Sequence, residues 1–140
     1  MAYWLFKSEP NVFSWDDLVA KGDRGEEWDG VRNYQARNNM RAMKAGEFGL
    51  FYHSNIGKEA VGIVQVAAQA HPDSTSGDPK WDCVDIRAVK PLARPVSLDR
   101  AKREPALSGM VLVNNSRLSV QPVTDGEWAA ILALSDTEAP

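Results

Sequence analysis

Short strand-like runs set between glycines and prolines, broken by a few stretches of helical spacing, confine this chain to a small mixed fold. Residues 3–7 (YWLFK) are aromatic-rich and alternating, as a half-buried strand requires, and Pro10 ends the run. Residues 48–54 and 60–68 predict two further strands, joined by Ser-Asn-Ile-Gly, a loop of hairpin length. A polar loop with Pro72, Gly77 and Pro79 leads to a strand over 81–90, where Val84, Ile86 and Ala88 share one face. A last strand falls at 118–123.

Helices fill the gaps. Ser14 caps a short one over 15–20, with Asp16 and Asp17 in the first turn, where the helix dipole favours acids, and Gly22 as a stop. Trp28-Asp-Gly is a turn. Over 33–44, Ala36, Met40 and Met43 recur at helical spacing, and Gly46 closes the segment. Ser97 caps a short basic helix over 98–103. Thr124 and Glu127 have capping-box spacing ahead of Trp128, Ile131 and Leu132. The expected fold class is α+β: a curved or barrel-like mixed sheet with peripheral short helices.

At 140 residues the chain suits one domain, 1–140, large enough to bury a core. No apolar run approaches membrane-spanning length, and the N-terminus has neither a basic region nor a long apolar one. The single cysteine, Cys83, cannot close an internal disulfide and reads as a buried apolar residue of a reducing compartment. The cytoplasm is the expected location. A net charge of −3 argues against indiscriminate nucleic-acid binding. The charge is segregated, however: between residues 31 and 46 lie Arg32, Arg37, Arg41 and Lys44 with no acid among them. That stretch suits either a small phosphate footprint or a solvated surface.

His53, His71 and Cys83 lie far apart, in no spacing that announces zinc, and neither a phosphate-binding glycine loop nor a Gly-x-Ser-x-Gly elbow occurs. No catalytic residues, metal or cofactor are assigned. Three segments nevertheless combine aromatics with amides, hydroxyls and bases: Lys7-Ser8-Glu9-Pro10, the run from Trp28 to Asn38, and Phe51-Tyr52-His53-Ser54. A base held outside its stack needs apolar faces and a few polar groups for its Watson–Crick edge. Trp28 or Tyr34 would give the face. Ser8, Asn33 and His53 would read the edge. Asn33, Arg37 and Arg41 recur every four residues and so line one side of a helix, where the bases would hold flanking phosphates. Each residue also has a plainer reading. Trp28 and Tyr34 serve equally as core aromatics, Ser8 as a turn residue and Asn33 as a helix cap. Tyr52 and His53 point to opposite faces of a strand.

The same segments resemble the EVE family. The matching stretches are YWLFKSEP at 3–10, FSWDDL at 13–18, WDGVRNYQARNNMRAMKAGEFGLFYHSN at 28–55, GIVQV at 62–66 and RLSVQPVTDGEW at 117–128. They run nearly from end to end of the chain. The resemblance implies a PUA-like fold, related to the YTH readers of methylated adenine. It also implies a pocket for one modified base, such as 5-methylcytosine, 5-hydroxymethylcytosine or N6-methyladenine, in DNA or RNA. By motif, Lys7, Ser8, Trp28, Asn33 and Tyr34 would belong to that pocket, with Tyr52, His53 and Ser54 nearby. Arg32, Arg37, Arg41 and Arg117 would contact the backbone. The loop over 72–80 is shorter than in many relatives. Two rival functions remain open from sequence: an enzyme on nucleic acid or nucleotides with His53 as general acid–base, and a protein-interaction domain that uses the Met40/Met43 face.

Overall fold

The computed structural model describes residues 1–115 and 117–140. Its strands are β1 (Tyr3–Ser8), β2 (Glu26–Glu27), β3 (Phe48–His53), β4 (Glu59–Pro72), β5 (Asp82–Ser97) and β6 (Val120–Val123). Its α-helices are α1 (Trp15–Ala20), α2 (Tyr34–Ala42), α3 (Leu98–Lys102), α4 (Val111–Asn114) and α5 (Asp125–Leu134). The strands form one mixed six-stranded sheet in the order β2-β5-β4-β3-β1-β6. Among the described residues only β1 and β3 run parallel, from Tyr3 opposite Phe48 to Ser8 opposite His53. The other neighbours are antiparallel, and the sheet does not close into a barrel.

Strand alternation builds two cores, one on each face of the sheet. Trp4, Phe6 and Phe51 go to one, with Trp15, Leu18, Trp28, Ala36 and Met40. Leu5, Leu50 and Tyr52 go to the other, with Leu107, Met110, Trp128 and Ile131. The two-residue period assigns these neighbours to opposite faces, and helices on both sides cover them.

The caps form as the sequence predicts. Ser14 and Thr124 each accept from the backbone N–H three residues on, while Asp17 and Glu127 reach back, which completes two capping boxes. Asn33 caps α2 through Oδ1, which accepts from the Ala36 N–H at 2.9 Å.

Two strands depart from expectation. Where the spacing predicts strands over 60–68 and 81–90, β4 and β5 extend to 14 and 16 residues. Their ladder absorbs repeated register shifts, which break the even alternation that a sequence pattern relies on. Pro91 and Pro95 lie inside β5, where a central strand would exclude them. They are tolerated because β2 pairs only with Asp85 and Ile86, so the far edge of β5 carries no strand along this stretch. Near the start of β4, Gly62 meets the Trp15 ring directly, and any Cβ there would overlap three ring atoms.

Candidate functional site

A cavity of about 520 Å³ opens at the C-terminal end of β1, between that strand and the loop that leads into α2. Its lining comes from four places: Lys7, Ser8 and Glu9; Val12 and Phe13; the run from Glu26 to Asn33; and Ser119. The volume is in the range that holds small ligands.

Backbone and side-chain bonds fix each wall. The Lys7 N–H donates to the Ser119 carbonyl at 2.9 Å, which ties β1 to the start of β6. The Ser8 hydroxyl donates to the Phe13 carbonyl at 2.6 Å and holds the turn before α1. The Trp28 N–H donates to Val84 O, and the Trp28 indole meets Phe6, Phe13 and Phe51 edge-on at 5.7, 6.1 and 5.8 Å. With only 8% of its surface exposed, Trp28 is both a core residue and a wall of the cavity.

The loop turns at Gly30, whose φ of 77° suits glycine. Asp73 anchors it from the β4–β5 connection and is 2% exposed. Its carboxylate accepts from the Gly30 N–H (2.9 Å), Arg32 (3.0 Å), and the Thr75 hydroxyl and N–H (2.6 and 2.8 Å). Burial works against that charge, but these bonds outweigh it and hold the carboxyl at about 2. Beyond Gly30, the N–H groups of Val31, Arg32 and Asn33 donate to nothing among the described residues, and neither does the Asn33 amide NH₂. Burial raises the carboxyl of Asp29, as do the neighbouring Asp73 and Glu27 charges, against the pull of Arg32. Burial lowers the Lys7 ammonium. The cavity thus combines apolar walls, unspent donors and several carboxyl groups, those of Glu9, Glu26, Glu27 and Asp29.

Of the residues proposed from sequence, Lys7, Ser8, Trp28, Asn33 and Arg32 line this cavity. Tyr34 does not; its ring stacks on Trp81 at 5.0 Å. Tyr52 is 2% exposed and packs in the core on the opposite face of the sheet. Burial, then Asp99 and Glu59, push its hydroxyl up to about 12. His53 and Ser54 brace the site from behind. His53 Nε2 accepts the Trp15 N–H at 3.0 Å, and the Ser54 N–H donates to Ser8 O. Burial lowers the His53 pKa, as befits a ring nitrogen that accepts. Arg41 is paired with Asp82 at 2.7 Å, whereas among the described residues Arg37 bonds only the neutral oxygens of Asn38 and Lys80. Arg117 is exposed.

Sequence reasoning missed Val12, Phe13, Glu26, Glu27 and Ser119 as lining residues. Ser119 could only be found through the β1–β6 pairing, which no local pattern announces. Spacing likewise gave no hint that Glu27, His71 and Cys83 meet, yet their ligand atoms lie within 4.8 Å of one another. Each already has a protein partner. Glu27 accepts from the Ser74 N–H, the Ser74 hydroxyl and, at 3.4 Å, the Cys83 thiol, while His71 Nε2 faces Asp85 at 2.8 Å. The trio brackets β2, β4 and β5 together.

The EVE domain family model matches residues 2–134. The chain belongs to the EVE family. Among solved structures of that kind, protein Atu2648 of Agrobacterium tumefaciens is 58% identical. It superposes with a TM-score of 0.98 over 100% of this chain and 97% of its own. Human THYN1, solved in complex with DNA containing 5-methylcytosine, is 36% identical. Its TM-score is 0.90, over 99% of this chain and 100% of that one. The YTH domain of Zygosaccharomyces rouxii MRB1, solved with N6-methyladenosine RNA, gives a TM-score of 0.58 at 19% identity, over 99% of this chain and 88% of that one. That last likeness is one of fold. Together with the match to human THYN1, the mixed sheet and its short helices fit a PUA-like α+β fold, here with an open sheet.

Proposed function

We propose that residues 1–140 form a single domain that reads one modified base in a DNA or RNA strand, and that it binds without catalysis. The observation that carries this is the cavity itself: apolar walls beside unspent donors, in a fold shared with a relative solved on 5-methylcytosine DNA. A flipped or unpaired base enters between Trp28, Phe13 and the Val31–Asn33 loop. For a cytosine, the free N–H groups and the Asn33 amide suit the O2 and N3 acceptors, and the Asp29 carboxylate suits the exocyclic amine. A 5-methyl group is sensed by apolar contact with residues such as Val12 and Val31. One buried carbon is worth about 0.8 kcal/mol, so methyl discrimination is roughly fourfold.

The commitments of His53 favour binding over catalysis. A general base needs a nitrogen free to take a proton, and Nε2 is already bonded to the Trp15 N–H. The buried cysteine fits a reducing compartment such as the cytoplasm.

Fluorescence-anisotropy titration tests the proposal. Short single strands carry cytosine, 5-methylcytosine, 5-hydroxymethylcytosine, adenine or N6-methyladenine at one central position. Tighter binding to one modified base, kept at raised salt, is expected. Equal affinities that fade together with salt would reduce the function to phosphate contacts. Mass spectrometry of the recovered strand is expected to find it intact, and a chemically altered base would make the protein an enzyme.

A further inference from the structure

Tyr34 opens α2 one residue after Asn33, yet it takes no part in the cavity. The residue is 54% exposed, and its ring lies nearly flat on Trp81, with centroids 5.0 Å apart and planes 23° from parallel. Cations surround the pair. The Arg37 guanidinium is 4.8 Å from the Tyr34 centroid and 6.0 Å from that of Trp81. The guanidinium is thus shared between the two rings, and Tyr34 keeps about half of its surface open to solvent.

The charges nearby differ in how fully they are spent. Arg32, over Trp81 at 5.6 Å, is ion-paired with Asp73, and Lys80 is paired with Asp78. Arg37 has no carboxylate within ion-pair distance among the described residues. An open aromatic face beside an unneutralised guanidinium is what a nucleotide takes up: the base stacks and the phosphate meets the cation. Arg32 links this surface to the cavity, because it lines the one and sits over Trp81 in the other.

We infer that Tyr34, backed by Trp81 and flanked by Arg37, is a second subsite that stacks the base next to the one in the cavity, with Arg37 on the phosphate between them. This rests on the base-reading function proposed above. Because every base has a π-face, the subsite adds affinity without sequence preference, so selection for the modified base stays with the cavity.

The test compares the unaltered chain with Tyr34→Ala, Tyr34→Phe and Arg37→Gln. The probes are a short strand with a central 5-methylcytosine, its unmodified counterpart, and versions with an abasic position on either side. Tyr34→Ala is expected to bind the intact strand about tenfold more weakly, within a span of roughly 5 to 150. Its ratio of modified to unmodified affinity should be unchanged, and it should ignore the abasic position that weakens the unaltered protein. Tyr34→Phe restores binding. Arg37→Gln weakens binding and flattens its salt dependence by about one phosphate contact. An altered modified-to-unmodified ratio in Tyr34→Ala would overturn the inference by placing Tyr34 in the base pocket. So would unaltered protein that binds the abasic strands as tightly as the intact one, even with its 5-methylcytosine preference intact. If the unaltered protein binds none of these strands, the base-reading proposal itself fails and the subsite falls with it.

Discussion

Asn33 carries two jobs on one side chain. Its Oδ1 caps α2, while its NH₂ group, on the cavity wall, has no partner among the described residues. Asn33→Asp keeps an oxygen for the cap, removes the donor and adds negative charge at the cavity. The expected result is a thermal midpoint within a few degrees of the parent and at least tenfold weaker binding of the preferred strand. Binding equal to the parent would remove Asn33 from the site. Asp73 makes a pH prediction. Its carboxyl is held at about 2 against an ordinary 3.8, so it stabilises the fold fully above 3.8 and loses that contribution as pH falls toward 2. The contribution is on the order of 2 kcal/mol at neutral pH. Asp73→Asn should therefore be less stable at pH 7, and the gap to the parent should close in acid unfolding followed by circular dichroism. At this scale the sequence is legible where one residue has one local duty, as with the caps. It is ambiguous where a residue serves core and cavity together, as Trp28 does.

Elements explain which residues can meet. The parallel pairing of β1 with β3 puts Ser8 opposite His53, so the segment ending at Ser54 braces the cavity without lining it. Tyr52, one residue earlier, is turned to the other core by strand alternation alone. The two-residue period was readable in the sequence, but which face would hold the cavity was not, since that depends on where the loop from Glu26 to Asn33 folds over. The lengths of β4 and β5 were hidden for a related reason. Bulges shift the pattern, and prolines that normally mark a strand end are harmless on an unpaired edge. Gly62 gives a test of this packing. Gly62→Ala pushes a methyl into the Trp15 ring and should destabilise by ~2 kcal/mol or more, lowering the thermal midpoint by roughly 5–10 °C. A midpoint equal to the parent would show that α1 can move away from the sheet at little cost.

Over the whole molecule, charge is the quantity that sequence read best and structure refined most. The chain is acidic at −3, and the basic stretch from residue 31 to 46 suited either a phosphate footprint or a solvated surface. In the fold, Asp73 and Asp82 pair with Arg32 and Arg41, which leaves Arg37 and Lys44 without a carboxylate at ion-pair distance among the described residues. With Arg32 and Arg41 held in ion pairs, the stretch beside the cavity should show a shallow salt dependence. The slope of log affinity against log salt on single strands should be no steeper than about −2, since each phosphate contact contributes about −0.7. A much steeper slope would mean a wider basic footprint than the ion pairs allow. The family resemblance carried by WDGVRNYQARN identified the fold as PUA-like before any coordinate. The division between cavity and flanking stack could not be read there, because Tyr34 and Asn33 are adjacent in sequence and part company only in space.

The central claim is that a modified base sits in the cavity between β1 and the Trp28–Asn33 loop. The most direct measurement is amide chemical-shift mapping of isotopically labelled protein, titrated with a short strand that carries the preferred modified base and then with its unmodified counterpart. The amides of Ser8, Val31, Arg32, Asn33 and Ser119 and the Trp28 indole are expected to shift with the modified strand and much less with the other, while Tyr52 stays still. Shifts confined to the outer side of α2, identical for both strands, would contradict it.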